Sequence, residues 1–202
     1  MHIRKLSLLA GAAVALMSAT QVHAQTSLLA DGDFEAFASQ VANGGYTTIQ
    51  AGSSLGAWSV TGSSVDLIRN AYGAITDVSV DLAGTPGPGY ISQTFNAVAG
   101  TTYTLAWDYF KNPPGAQLDV SFGGATTNYG VANGVTHATL DWTATTSGIQ
   151  TVSFGTGSTS NQGPTVDNIM LTVSAVPEPQ SLALLAAGLA CLAWLTRRRK
   201  QP

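Results

Sequence analysis

The chain has 202 residues, enough for one domain of ordinary size plus targeting segments. Charged residues make up 9%, and the ends hold six of the eight cations: Arg4, Lys5, Arg197, Arg198, Arg199 and Lys200. The middle sets Arg69 and Lys111 against ten acids, a balance near −8, which argues against nucleic acid, whose binding needs Lys and Arg on phosphates.

The first element is an export signal over residues 1–24. Arg4 and Lys5 form a positive start, and Leu6 to Met17 is apolar apart from Ser7. Val22-His23-Ala24 offers small residues for cleavage before Gln25. A cleaved signal fits this short run better than an uncleaved anchor helix.

Residues 25–175 show no useful helical periodicity. Short alternating runs broken by Gly, Asn, Pro and Ser predict an all-β, two-sheet antiparallel jelly-roll sandwich of eight or nine strands. In chain order the predicted strands are Ala57–Thr61, Val65–Arg69, Val78–Leu82, Tyr90–Phe95, Thr102–Tyr109, Leu118–Phe122, Ala138–Thr143, Ile149–Phe154 and Val166–Val173. The last carries an irregularity at Asp167-Asn168. Gly84–Gly89, Lys111–Gly115 and Asn133-Gly134 are predicted turns. Trp58, Phe95 and Trp107 fall on apolar strand faces and are expected in the core.

The segment 176–202 is the last element. Val176-Pro177-Glu178-Pro179 precedes an uncharged run from Leu182 to Leu195, and Arg197-Arg198-Arg199-Lys200 follows. A helix over residues 180–196 would be about 25 Å long. That is the short limit for a hydrocarbon core of about 30 Å. The cations would stay in the cytoplasm and put the domain on the periplasmic side of the inner membrane. An amphipathic helix packed on the domain fits less well, because the run has no polar face.

This three-part tail resembles the PEP-CTERM sorting signal of Gram-negative, biofilm-forming bacteria. The features that carry the resemblance are Pro177, Glu178 and Pro179, the short helix, and Arg197, Arg198 and Arg199. The resemblance implies an exosortase-type membrane enzyme as partner and release to the cell surface or extracellular matrix.

A second resemblance covers the middle. Leu29-Ala30-Asp31-Gly32-Asp33-Phe34-Glu35 opens it, Val80-Asp81-Leu82-Ala83-Gly84 and Gly89-Tyr90-Ile91-Ser92-Gln93-Thr94-Phe95 follow, and Gly163-Pro164-Thr165-Val166-Asp167-Asn168-Ile169 closes it. The order is similar to choice-of-anchor C domains, related to galactose-binding-like jelly rolls and plant cell-wall proteins. In such jelly rolls the Phe-Glu of the opening strand and the Asp of the closing strand hold a structural Ca²⁺. The resemblance assigns those roles to Glu35 and Asp167, with Asp33 beside them. The alternative is that these residues serve turns and backbone amides.

Catalytic signatures are sparse. The middle has no cysteine, since Cys191 lies in the tail, and its one histidine, His137, lacks metal-ligand spacing. It reads as a surface or core residue. Ten scattered acids always yield some pair, so paired carboxylates alone do not argue for glycoside hydrolysis. Sugar binding would use exposed aromatics, with Tyr72, Tyr90, Tyr109, Tyr129 and Trp142 as contributors. Ice binding would need a regular threonine array. Thr101, Thr102 and Thr104, or Thr143, Thr145 and Thr146, do not extend one over several strands. The expectation is an exported envelope or matrix protein without catalysis, binding extracellular polysaccharide. The alternatives are a small polysaccharide-active enzyme and a purely structural matrix component.

Overall fold

The computed structural model describes residues 26–111, 117–130, 134–174 and 187–190. The export signal, residues 112–115 of the predicted turn, Asn133 and most of the sorting tail lie outside the described residues. Residues 187–190 are helical, and among the described residues no helix is long and apolar enough to cross a membrane.

Twelve strands are described: β1 Tyr46–Gln50, β2 Ser54–Leu55, β3 Trp58–Gly62, β4 Ser64–Arg69, β5 Val78–Asp81, β6 Gly89–Ala97, β7 Thr102–Lys111, β8 Leu118–Phe122, β9 Ala125–Tyr129, β10 Thr136–Thr143, β11 Gly148–Gly155 and β12 Pro164–Val173. They form two six-stranded sheets, β1-β4-β5-β12-β7-β10 and β2-β3-β6-β11-β8-β9. Every pairing is antiparallel. Nine strands follow the predicted runs. β1, β2 and β9 are additional.

Alternation sends one face of each strand inward. On β7 these are Tyr103, Leu105, Trp107 and Tyr109, and on β8 Leu118, Val120 and Phe122. Trp58 of one sheet meets Phe154 at 6.2 Å, and Phe154 meets Trp107 of the other at 5.6 Å, both edge to face. Such a pair adds about 0.5–1.5 kcal/mol beyond the burial of its area. As expected, Trp58 and Trp107 are fully buried and Phe95 nearly so.

The opening segment departs from the strand that the jelly-roll resemblance implied for Phe34-Glu35. Phe34 takes a left-handed φ of 54° and caps a 3-10 helix, Glu35–Gln40. Burial decides this. Phe34 is fully buried and its ring packs on Trp58 at 6.2 Å, so the chain must turn after it. The segment still lies beside β12. Leu28 N–H donates to Leu171 O at 2.7 Å, and Ile169 N–H donates to Gly32 O at 2.8 Å. The predicted irregularity in β12 is present, as a register shift between Asp167 and Met170.

Cross-strand register also builds a line that sequence order conceals. Ser54, Ser59, Ser92, Ser153, Ser121 and Thr126 pair successively across all six strands of the second sheet. The hydroxyl row not found along the sequence therefore exists across the strands, in serine rather than threonine.

Candidate functional site

The outer side of the first sheet carries two groups of acids, one around Asp167 and one around Asp81. Glu35 starts the 3-10 helix and points at the segment leading into β5. Thr76 Oγ1 lies 2.7 Å from Glu35 Oε1 and 2.6 Å from Asp167 Oδ2. A hydroxyl owns one proton, so it can donate to only one of these carboxyl groups. Ser79 Oγ donates to Asp167 Oδ2 at 2.9 Å, Asn168 N–H donates to Oδ1 at 2.7 Å, and Val78 N–H donates to Glu35 Oε1 at 3.2 Å. Burial pushes the Asp167 carboxyl up to about 6. Hydrogen bonds from Thr76, Asn168 and Ser79 oppose the shift, and the Glu35 charge adds to it.

The structure thus joins Glu35 and Asp167 through one hydroxyl. Asp33 is exposed and lines a different, shallow depression of about 370 Å³ with Asp31, Gly32, Asn168 and Ile169. Among the described residues no three His, Cys, Asp or Glu side chains gather as a metal-holding group. The oxygens at Thr76 are nonetheless the hard donors that Ca²⁺ prefers, and two carboxyl groups there compete for one hydroxyl hydrogen. A cation would relieve that shortage of positive charge. His137 is a surface residue, its Nδ1 2.7 Å from Asp108 Oδ1. The sorting residues Pro177, Glu178, Pro179, Arg197, Arg198 and Arg199 lie outside the described residues.

The second group forms the floor of a cleft of about 120 Å³. Tyr46, Asp66, Ile68, Tyr72, Asp81 and Gln162 are among its walls. Asp66 on β4 stands opposite Asp81 on β5, and Ile68 follows one pleat later on the same side. Thr48 Oγ1 donates to Asp66 Oδ1 at 2.7 Å, and Thr85 donates its N–H to Oδ1 and its hydroxyl to Oδ2. Asp81 Oδ1 takes the amides of Ala83 at 2.8 Å and Gly163 at 3.1 Å. Burial pushes the Asp81 carboxyl up to about 8. The Ala83 amide opposes this, the Asp66 charge adds to it, and the Gly163 amide opposes it again. Thr165 is in register with Asp81, and its buried Oγ1 has no partner among the described residues.

Tyr46 and Tyr72 form the rim, edge to face with centroids 5.6 Å apart, and both are about half exposed. Tyr72 belonged to the expected aromatic set and Tyr46 did not. Tyr109 is buried, while Tyr129 and Trp142 pack against the core. Asp66 and Asp81 were two of ten scattered acids, and only strand register brings them together.

Similarity to solved structures is low. The enzymatically active domain of a bacteriophage CBA120 tailspike protein aligns at 15% identity and a TM-score of 0.44, over 73% of this chain and 21% of that one. The chain therefore spans about a fifth of the tailspike's length. A family 16 carbohydrate-binding module aligns at 19% and 0.40, covering 54% of this chain and 84% of the module. A structure titled as a family 4 module aligns at 15% and 0.40, covering 73% and 100%. These likenesses carry no functional argument. No curated protein matches the chain. Two family models do match. One, described as a protein of unknown function, DUF642, covers residues 27–172, and the PEP-CTERM protein-sorting motif covers residues 175–199. The chain belongs to the DUF642 family and bears a PEP-CTERM sorting motif behind that domain.

Proposed function

We propose that this is an envelope or extracellular-matrix protein, exported and sorted through its PEP-CTERM motif, whose sandwich binds carbohydrate and does not turn it over. The observation that carries the reading is the cleft, with two solvent-facing tyrosines above buried oxygen-rich walls. Aromatic faces pack on the C–H side of a sugar ring, and fixed polar groups take its hydroxyls. The sorting motif supports an exosortase-type enzyme as the processing partner.

The rival is a glycosidase using Asp66 and Asp81, since a raised carboxyl beside a second one is the pattern of a general acid and its partner. Two facts favour binding. The two acids stand side by side on neighbouring strands rather than flanking a bond, and Asp66 is already held by three donors.

The test incubates the full chain, in a detergent without a sugar head group, with a panel of polysaccharides. Retention on the polymer with no new reducing ends is expected. Release of reducing ends, abolished in Asp81→Asn, would replace this reading with the enzymatic one.

A further inference from the structure

We propose that the cleft between Tyr46, Tyr72, Asp66 and Asp81 receives a single neutral sugar ring, as a chain end or side branch, and rejects uronic acids. The proposal rests on the carbohydrate-binding reading and names the class of sugar that the same site takes.

Size sets the first limit. The cleft measures about 120 Å³. An apolar cavity of roughly 150 Å³ holds one benzene ring, whereas sites for larger ligands run from about 300 to 1,000 Å³. The cleft is smaller than the benzene cavity but opens between the half-exposed tyrosines, so part of one sugar ring enters it and a run of three does not.

Charge sets the second limit. Asp66 and Asp81 are 6% and 5% exposed, so both carboxyl groups sit out of bulk water. Among the described residues no Lys or Arg side chain lines the cleft. The nearest arginine in sequence, Arg69, is engaged by Asp77 at 2.9 Å and by the carbonyl of Ala38 at 2.9 Å. Burial keeps Asp81 mostly protonated near neutral pH, so a uronate entering here would be repelled by Asp66, with no compensating cation in the described lining and at a short distance where screening is weak.

The lining supplies what a neutral ring needs. Asp81 Oδ1 is taken by two backbone amides, which leaves Oδ2 for a hydroxyl. Gln162 and Asn161 add side-chain amides, which both donate and accept. Ile68 gives an apolar stretch of floor, and the two tyrosine rings close the rim.

The experiment titrates the full chain, in the same detergent, with methyl glycosides of glucose, galactose and mannose, with their neutral oligosaccharides, and with glucuronic and galacturonic acid. At least one neutral glycoside is expected to bind about tenfold or more tighter than the uronic acids. Lengthening it to a hexasaccharide should change affinity less than about threefold. Tyr72→Ala and Asp81→Asn should each weaken binding about tenfold or more. Tyr72→Ala should lower the melting temperature by only a few degrees, from the lost Tyr46 contact, and stay folded at the assay temperature, which separates lost binding from lost fold.

Neutral binding that survives in both variants overturns this site and leaves the carbohydrate reading standing. Uronic acids that bind equally well, or a large gain with chain length, overturn the class of sugar. Absence of binding to every sugar tested overturns the carbohydrate reading and the site with it.

Discussion

Asp66 and Asp81 face each other across the β4–β5 pairing with both side chains withdrawn from solvent. The two differ in what holds them, since Asp66 takes two hydroxyls and an amide, and Asp81 takes two amides on one oxygen.

Asp81 makes stability depend on pH. Its carboxyl lies near 3.8 when unfolded and at about 8 when folded. The folded state therefore binds the extra proton across that window. The stability it contributes is complete below about pH 4 and is lost as pH rises towards 8, a change on the order of a few kcal/mol. Asp167 acts with the same sign between about 4 and 6. Urea unfolding at several pH values should show a steady decline up to pH 8. In Asp81→Asn the decline should stop near pH 6, and an unchanged profile would contradict the assignment.

The carboxyl pair at Thr76 predicts a response to calcium. Thermal melting of the full chain in Ca²⁺ against EGTA should show an upward shift. A site filled to 100 times its Kd adds about 2.7 kcal/mol. The shift should vanish in Glu35→Gln and in Asp167→Asn. Identical melting in both buffers would leave the Thr76 hydroxyl as the bridge between these acids.

Trp58 and Trp107 are equally buried but differently satisfied. Trp58 Nε1 donates to Asp31 O at 3.1 Å, whereas Trp107 Nε1 has no partner among the described residues. Replacing either by Phe removes similar volume. Trp58→Phe also orphans a carbonyl, and Trp107→Phe removes an unpaired donor. Trp58→Phe is expected to cost more, by about 1 kcal/mol. Chemical denaturation of the two variants decides it, and equal costs would mean the Asp31 bond contributes little.

Gly32 is fixed by proximity. A Cβ there would lie 2.0 Å from the carbonyl oxygen of Ile169, a backbone atom that cannot swing aside. Gly32→Ala should push the opening segment off β12 and cost roughly 2–4 kcal/mol. Hydrogen exchange at the Ile169 amide, which donates to Gly32 O, should speed up in that variant. Wild-type protection there would show that the segment adapts.

Strands with one wet face were readable from sequence because burial alternates along them, as in β8 and β10. β9 escaped because four of its five residues are exposed, so no alternation is written into it. β1 escaped likewise, with threonines at two of its five positions and no fully buried residue. The turn at Phe34 was not legible because Phe34 stands alone between Asp33 and Glu35, and only its packing on Trp58 shows that the chain turns there. Of the metal set, Glu35 and Asp167 meet, since sheet topology places the opening segment beside β12. The cleft was not legible, because Asp66, Asp81 and Tyr46 become neighbours only through register and a loop.

The line of short hydroxyl side chains on the second sheet spans about 24 Å at 4.8 Å per strand. It gives the molecule two unlike sides. Opposite it, the first sheet turns Asp66, Asp81, Asp108, Asp141 and Asp167 outward, whereas Asp119 is the acid on the serine side. Packed sheets lie about 10 Å apart and charges are screened within about 8 Å, so each side keeps its own potential. Beside a phosphate-rich surface the acid-bearing side, which also carries the tyrosines of the cleft, is therefore the more strongly repelled of the two.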